Sequence, residues 1–210
     1  MKKVILLLIA FFALPCVILS QEHGYIQSGY DAIMKKDYKA AADYYSKAIE
    51  KQSTYAPSFY GRGLAYSYLE KFQDAISDFS KAIEIDPNYH QSFYGRALAN
   101  IRLGKNLPAL DDLDKAISLD KNNSDYFYSR ANVYAIQDQN DKALADYNKA
   151  IELNPNSGLP YYGRAVIHKK DKRGEAAIKD FDKYLEINGN RDGLAKEVQR
   201  LINEIQKEKE

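Results

Sequence analysis

From residue 22 onward, apolar and small residues recur at the spacing of amphipathic helices, and the whole pattern returns every 34 residues. Blocks 22–55, 56–89, 90–123, 124–157 and 158–191, starting at Glu22, Ala56, His90, Ser124 and Gly158, align without insertion or gap. The eighth place of each block is small: Gly29, Gly63, Ala97, Ala131, Ala165. So is the twentieth: Ala41, Ala75, Ala109, Ala143, Ala177. The twenty-seventh reads Ala48, Ala82, Ala116, Ala150 and then Tyr184. Large residues hold the fourth place (Tyr25, Phe59, Phe93, Phe127, Tyr161) and the twenty-fourth (Tyr45, Phe79, Leu113, Tyr147, Phe181). Small residues let two antiparallel helices approach closely, and large ones fill the gaps on either side. Each block therefore predicts two helices of about fourteen residues. The first turns fall near Lys71-Phe72, Gly104-Lys105 and Asp138-Gln139. The second fall at Asp86-Pro87-Asn88, Asn122-Asn123 and Asn154-Pro155-Asn156, where proline or asparagine ends the helix.

This pattern resembles the tetratricopeptide repeat. The family's small-small-small-proline spacing is matched by Gly63, Ala75, Ala82 and Pro87, within SFYGRGLAYSYLEKFQDAISDFSKAIEIDPN. The resemblance runs from Glu22 to about Arg191 and implies an all-α, right-handed α-solenoid of five tandem helix-turn-helix repeats. The first and third blocks depart from it, with Ser53 and Lys121 in place of the terminal proline. A stack of such units needs a polar cap. In the tail, 192–210, Leu194, Val198, Leu201, Ile202 and Ile205 follow helical spacing among polar residues. The simplest reading is a capping helix from Asp192 to about Gln206; a free partner-binding helix is the sharper alternative.

The first twenty residues differ in kind. Lys2 and Lys3 precede an apolar run from Val4 to Leu19, and polar sequence begins at Ser20. A basic start followed by a hydrophobic stretch reads as a signal peptide over 1–20, cleaved after Ser20. The run is shorter than the ~20 residues that usually span a bilayer. An uncleaved membrane anchor is the rival, and lipidation at Cys16 is disfavoured by Pro15. The mature chain is then periplasmic or secreted, touching a membrane only if that segment is retained. Cys16 is the single cysteine, so cleavage removes every thiol.

Composition narrows the function classes. Thirty basic residues nearly cancel 29 acidic ones, leaving a net charge of +1 and no global field directed at nucleic acid. The three histidines, His23, His90 and His168, stand in no metal-binding or nucleophilic motif, and glycine-rich phosphate loops are absent from the sequence. The expectation is a non-enzymatic protein without metal or cofactor. Aromatic usage is more telling, with 18 tyrosines, 8 phenylalanines and no tryptophan.

The resemblance implies that the first helices of successive repeats line a concave groove. The fifth place faces it and reads Ile26, Tyr60, Tyr94, Tyr128, Tyr162. Tyrosines in register present large contact area with few rotatable bonds, which suits a protein or peptide partner. The plainer reading is packing between repeats. Further groove places add Tyr30, Ile33, Met34, Tyr68, Arg102, Asn132 and Lys169, making the N-terminal half apolar and aromatic. The C-terminal end is basic, with Lys169, Lys170, Lys172 and Arg173; it reads as an attractor of acidic segments or as a solvated run. The lysine–asparagine carboxylate clamp of some family members has no counterpart at Ile26, Tyr30 or Gly61. A small peptide or other small ligand held in the same groove, as in a sensor or carrier, is the alternative function.

One regularity stands apart. Arg62, Arg96, Arg130 and Arg164 hold the seventh place, and Asp78, Asp112, Asp146 and Asp180 the twenty-third; the first block, with Ser28 and Tyr44, lacks both together. An arginine recurring with an aspartate across a helix hairpin points to structural ion pairs, whereas a ladder of phosphate-reading arginines would need them solvated and unpaired.

Overall fold

A computed structural model describes residues 23–189, 191 and 193–207; the segment read as a signal peptide or anchor, with Cys16, lies outside them. Among the described residues the chain is all-helical. After α1 (residues 23–34) come α2 (Tyr38–Lys51), α3 (Ala56–Tyr68), α4 (Phe72–Ile85), α5 (His90–Arg102) and α6 (Asn106–Leu119). Then follow α7 (Ser124–Ile136), α8 (Asn140–Leu153), α9 (Gly158–Lys170), α10 (Gly174–Asn188) and α11 (Ala195–Lys207). From α1 to α10, odd and even helices alternate as the first and second members of five helix pairs, and α11 follows them. No described helix is long and apolar enough to cross a membrane.

The helices form two compact units that divide within α6, one ending at Asp112 and the other starting at Leu113. In the first unit, Tyr45 of α2 lies against both Gly29 of α1 and Gly61 of α3. Phe79 of α4 repeats the arrangement: a Cβ on Gly63 would come within 2.8 Å of its ring, and one on Gly95 within 2.7 Å. In the second unit Tyr147 of α8 meets Gly163 of α9 in the same way. Tyr45, Phe79 and Tyr147, at the twenty-fourth place, are thus wedged between their own repeat and the first helix of the next. A small sixth place is as necessary as a small eighth, because a buried ring has no room to yield.

The turn inside every pair uses one device. Lys36, Glu70, Gly104, Asp138 and Lys172 all hold the fifteenth place, with φ between 57° and 70°. The amide after each donates to a carbonyl five residues earlier: Asp37 to Ala32, Lys71 to Tyr66, Lys105 to Asn100, Gln139 to Tyr134 and Arg173 to His168. This is a left-handed helix C-terminus of the Schellman type. Only the third repeat places there the glycine that removes the steric cost. Between repeats the turns use side chains: Asp86 accepts from the Asn88 amide, Asp120 from Asn122 and Asn154 from Asn156.

The last helix starts at Ala195, three residues later than the spacing suggests. Gly193 has φ +78°, a left-handed conformation that a right-handed helix cannot contain. From there α11 lays Val198, Ile202 and Ile205 on Tyr161, Ala165, Ala177, Phe181 and Tyr184. Tyr184 is fully buried in that contact, at the place where the other repeats carry alanine.

Candidate partner-binding site

The arginines of the seventh place do more than pair across their hairpin. Arg62 donates from Nε and Nη2 to both carboxylate oxygens of Asp78, at 2.7 and 2.8 Å. Arg96 does the same with Asp112, Arg130 with Asp146 and Arg164 with Asp180, all between 2.6 and 2.9 Å. The remaining nitrogen, Nη1, reaches back to the preceding repeat: to Ser46 from Arg62, Ser80 from Arg96, Asp114 from Arg130 and Asn148 from Arg164. Each guanidinium also lies 5.6–5.8 Å from the centre of a ring on its own helix, Phe59, Phe93, Phe127 or Tyr161. The aspartates are buried, and hydrogen bonding to Asp78 raises the Arg62 pKa further. With both ends committed, this ladder fixes register and leaves no free row of cations for a phosphate ligand.

His168 belongs to the same layer. It stands at the eleventh place, where Tyr66 and Tyr134 occur in other repeats, with Nε2 at 3.8 Å from Asp180. Burial first, then Arg173 and Arg164, lower its pKa against an opposing pull from Asp180 and Asp171. A histidine whose folded pKa is depressed contributes no penalty well above pH 6.5, where folded and unfolded states are both neutral. As pH falls through 6.5 the unfolded chain takes up the proton more readily, so stability drops. Between pH 7.5 and 5.5 the wild type should therefore lose more stability than His168→Tyr, as read by urea midpoints; parallel losses would remove His168 as the cause.

The predicted groove residues divide by exposure. Tyr60, Tyr94, Tyr128 and Tyr162 are all half-buried. Tyr60 of α3 packs with ring centres 5.8 Å from Phe79 and 5.2 Å from Tyr89. Burial, then neighbouring tyrosines, push its phenol up to about 12, so the hydroxyl remains a donor at neutral pH. In the second unit Tyr128 lies 6.2 Å from Tyr147, and Tyr162 lies 5.9 Å from Phe181 and 5.5 Å from Tyr184. These rings pack against the second helices and stay partly exposed. Asn132 is engaged from below, accepting the Tyr147 hydroxyl at 2.6 Å.

Tyr30 and Tyr68 stand out, 53% and 56% exposed, and Tyr68 stacks on Tyr38 with ring centres 4.5 Å apart. Together with Tyr60 they border two cavities of the first unit. One, of about 600 Å³, lies between α1 and α3 and is lined by Ile26, Tyr30, Ile33, Tyr60 and Leu64 over a floor of Tyr45. The other, of about 230 Å³, lies between α3 and α5 and is lined by Leu64, Tyr68, Phe72, Leu98 and Arg102. Leu64 borders both, making them neighbouring compartments of one groove.

The basic end looks different in three dimensions. Lys169 donates to Glu204 of α11 at 2.8 Å, Lys170 to Asp138 and Arg173 to Asp171. The cap thus neutralises a lysine that the sequence places in the groove, and Glu204, 35 residues away, carries no repeat signal that could have announced it. Among the described residues no cluster of side chains could hold a metal ion.

The tetratricopeptide-repeat family model matches residues 56–89 and 124–157. No curated protein is similar in sequence. Among solved structures, MamA is 24% identical with a TM-score of 0.70, covering 81% of this chain and 93% of its own. YrrB, described as a TPR protein with an unusual peptide-binding site, is 24% identical with a TM-score of 0.67, covering 84% and 90%. A tetratricopeptide-repeat protein from Parabacteroides merdae is 21% identical with a TM-score of 0.72, covering 89% and 74%. Two of the five blocks are thus matched as tetratricopeptide repeats, and the helix-pair fold of these solved structures is shared along most of the chain.

Proposed function

We propose that this protein is an exported, non-catalytic scaffold that holds a segment of a partner protein in the tyrosine-bordered groove of its first helices. The fold is one whose members bind proteins or peptides. The observation that carries the reading to these residues is the pair of adjoining apolar cavities on α1, α3 and α5, with Tyr30, Tyr68 and Leu98 left exposed around them. Apolar surface gathered in one groove is the mark of an interaction site, and tyrosine is a frequent hot-spot residue. YrrB, with its peptide-binding site, supports a peptide segment as occupant.

Because Tyr68 is largely exposed, Tyr68→Ala should leave stability within about 0.5 kcal/mol of wild type. Affinity for partners captured by the mature chain from the cell envelope should fall by about 2 kcal/mol. Calorimetry of binding and circular-dichroism melting together test this; full affinity in Tyr68→Ala and Tyr60→Ala would move the site off this groove. The 600 Å³ cavity also has the size of a small-ligand pocket. Saturable binding of a compact ligand there, with no captured protein depending on Tyr68, would favour the sensor or carrier reading.

Export rests on Lys2, Lys3 and the Val4–Leu19 run. The intact mass of the native protein should correspond to a chain starting near Gln21 in a non-cytoplasmic fraction; Met1 retained in the soluble cytoplasm would refute it.

A further inference from the structure

The two cavities of the first unit differ in charge as well as size. The larger, between α1 and α3, has no carboxylate, ammonium or guanidinium in its lining; its polar groups are Gln27 and tyrosine hydroxyls. The smaller is bordered by one cation, Arg102, at the C-terminal end of α5. Unlike the arginines of the seventh place, Arg102 is open: its side chain is 63% exposed, and its guanidinium lies over the Phe72 ring at 5.2 Å. Its nearest carboxylate, Glu70, stands at 3.8 Å, beyond hydrogen-bond range, and is itself 76% exposed. Such a pair contributes little and is readily exchanged for a better acceptor.

Spacing constrains what can occupy both compartments. Packed neighbouring helices lie about 8–10 Å apart. A chain in the extended left-handed conformation with three residues per turn advances about 9 Å per turn and returns to the same face. Residues three apart in such a segment can enter successive cavities on either side of Leu64.

Resting on the protein-binding reading above, we propose that the occupant is an extended peptide segment carrying three features in order. A large apolar residue fills the cavity beside Tyr60. A second apolar residue, three positions on, fills the cavity beside Leu98. An acidic residue just beyond meets the guanidinium of Arg102. The occupant is thus an apolar segment with an acidic end, matched to a groove that is neutral at one compartment and cationic at the next. Glu70 competes with that acid for Arg102.

The test uses the folded chain without its first twenty residues and fluorescein-labelled acetyl-Gly-Phe-Ser-Gly-Leu-Ser-Asp-Gly-amide. Two companions replace the aspartate by lysine or the phenylalanine by glycine. Anisotropy at low salt should show the parent peptide binding roughly five- to tenfold tighter than the lysine companion, the scale of one exposed charge contact reversed in sign. Arg102→Gln should close that gap and Glu70→Gln should widen it, and added salt should shrink it in the wild type. The glycine companion should bind more weakly than the parent to all three proteins.

Equal binding of the aspartate and lysine peptides, or a gap unchanged in Arg102→Gln, overturns the inference. So does absence of binding by every peptide while captured envelope partners still depend on Tyr68; the groove reading then survives without this occupant. If neither the peptides nor captured partners depend on Tyr68, both fall together.

Discussion

Replacing Tyr184 by alanine is expected to destabilise the second unit by about 3–5 kcal/mol, the range for truncating a buried aromatic ring. The ring is fully buried among Phe181, Val198, Ile202 and Ile205, with Tyr162 5.5 Å away. Elsewhere the twenty-seventh place is a fully buried alanine, as Ala82 is against Ala56 and Phe59 of its own repeat. Here α11 covers the place, and the Tyr184 ring fills the space against its aliphatic side chains. Alanine would restore the repeat consensus and yet open a cavity, so the substitution separates consensus from context. Urea unfolding monitored by circular dichroism gives the stability, and tryptic cleavage after Lys196 and Arg200 reports release of the cap. Tyr184→Phe keeps the ring and should lose far less. A Tyr184→Ala protein with wild-type stability and an uncut α11 would show that the cap is held by something other than this contact.

Asp78→Ala is expected to cost about 3–5 kcal/mol, since it strands the partly buried Arg62 guanidinium with only Ser46 as partner. Asp146→Ala should cost less, because Arg130 retains a second carboxylate in Asp114 at 2.6 Å. Replacing both members together, Arg62→Met with Asp78→Leu, should recover most of the loss, as a desolvated ion pair and an apolar pair of similar volume are nearly equivalent. Urea midpoints of the four proteins check the order. Equal costs for Asp78→Ala and Asp146→Ala would mean that the reach to the preceding repeat carries no energy.

The residues of that reach show why only part of the ladder was legible. The seventh and twenty-third places repeat in kind, arginine with aspartate, so their relation is written in the sequence. The twenty-fifth place holds Ser46, Ser80, Asp114 and Asn148, which share only an oxygen acceptor. Because the guanidinium asks for nothing more specific, no residue type recurs for the eye to catch. The left-handed turn place is similar: lysine, glutamate, glycine, aspartate and lysine share a backbone conformation and no chemistry. The sixth place, with Gly61, Gly95 and Gly163, went unread in the sequence, because the reason it must be small is a ring contributed by the preceding repeat.

What the sequence by itself determined is whatever a 34-residue period can carry: the helix pairs, their boundaries to within a few residues, the small and large places of the core, and the tyrosines of the first helices. These rest on local propensity and on contacts repeated at fixed spacing, so five copies reinforce one signal. Tertiary structure decided everything that occurs once. It tied Lys169 to Glu204, sorted the tyrosines into half-buried rings and the exposed Tyr30 and Tyr68, left Arg102 open while every seventh-place arginine is bound, and gave Tyr184 its cover. Exposure and pairing depend on which side chains meet across distant segments, and a meeting that happens at one place leaves no periodic trace in the chain.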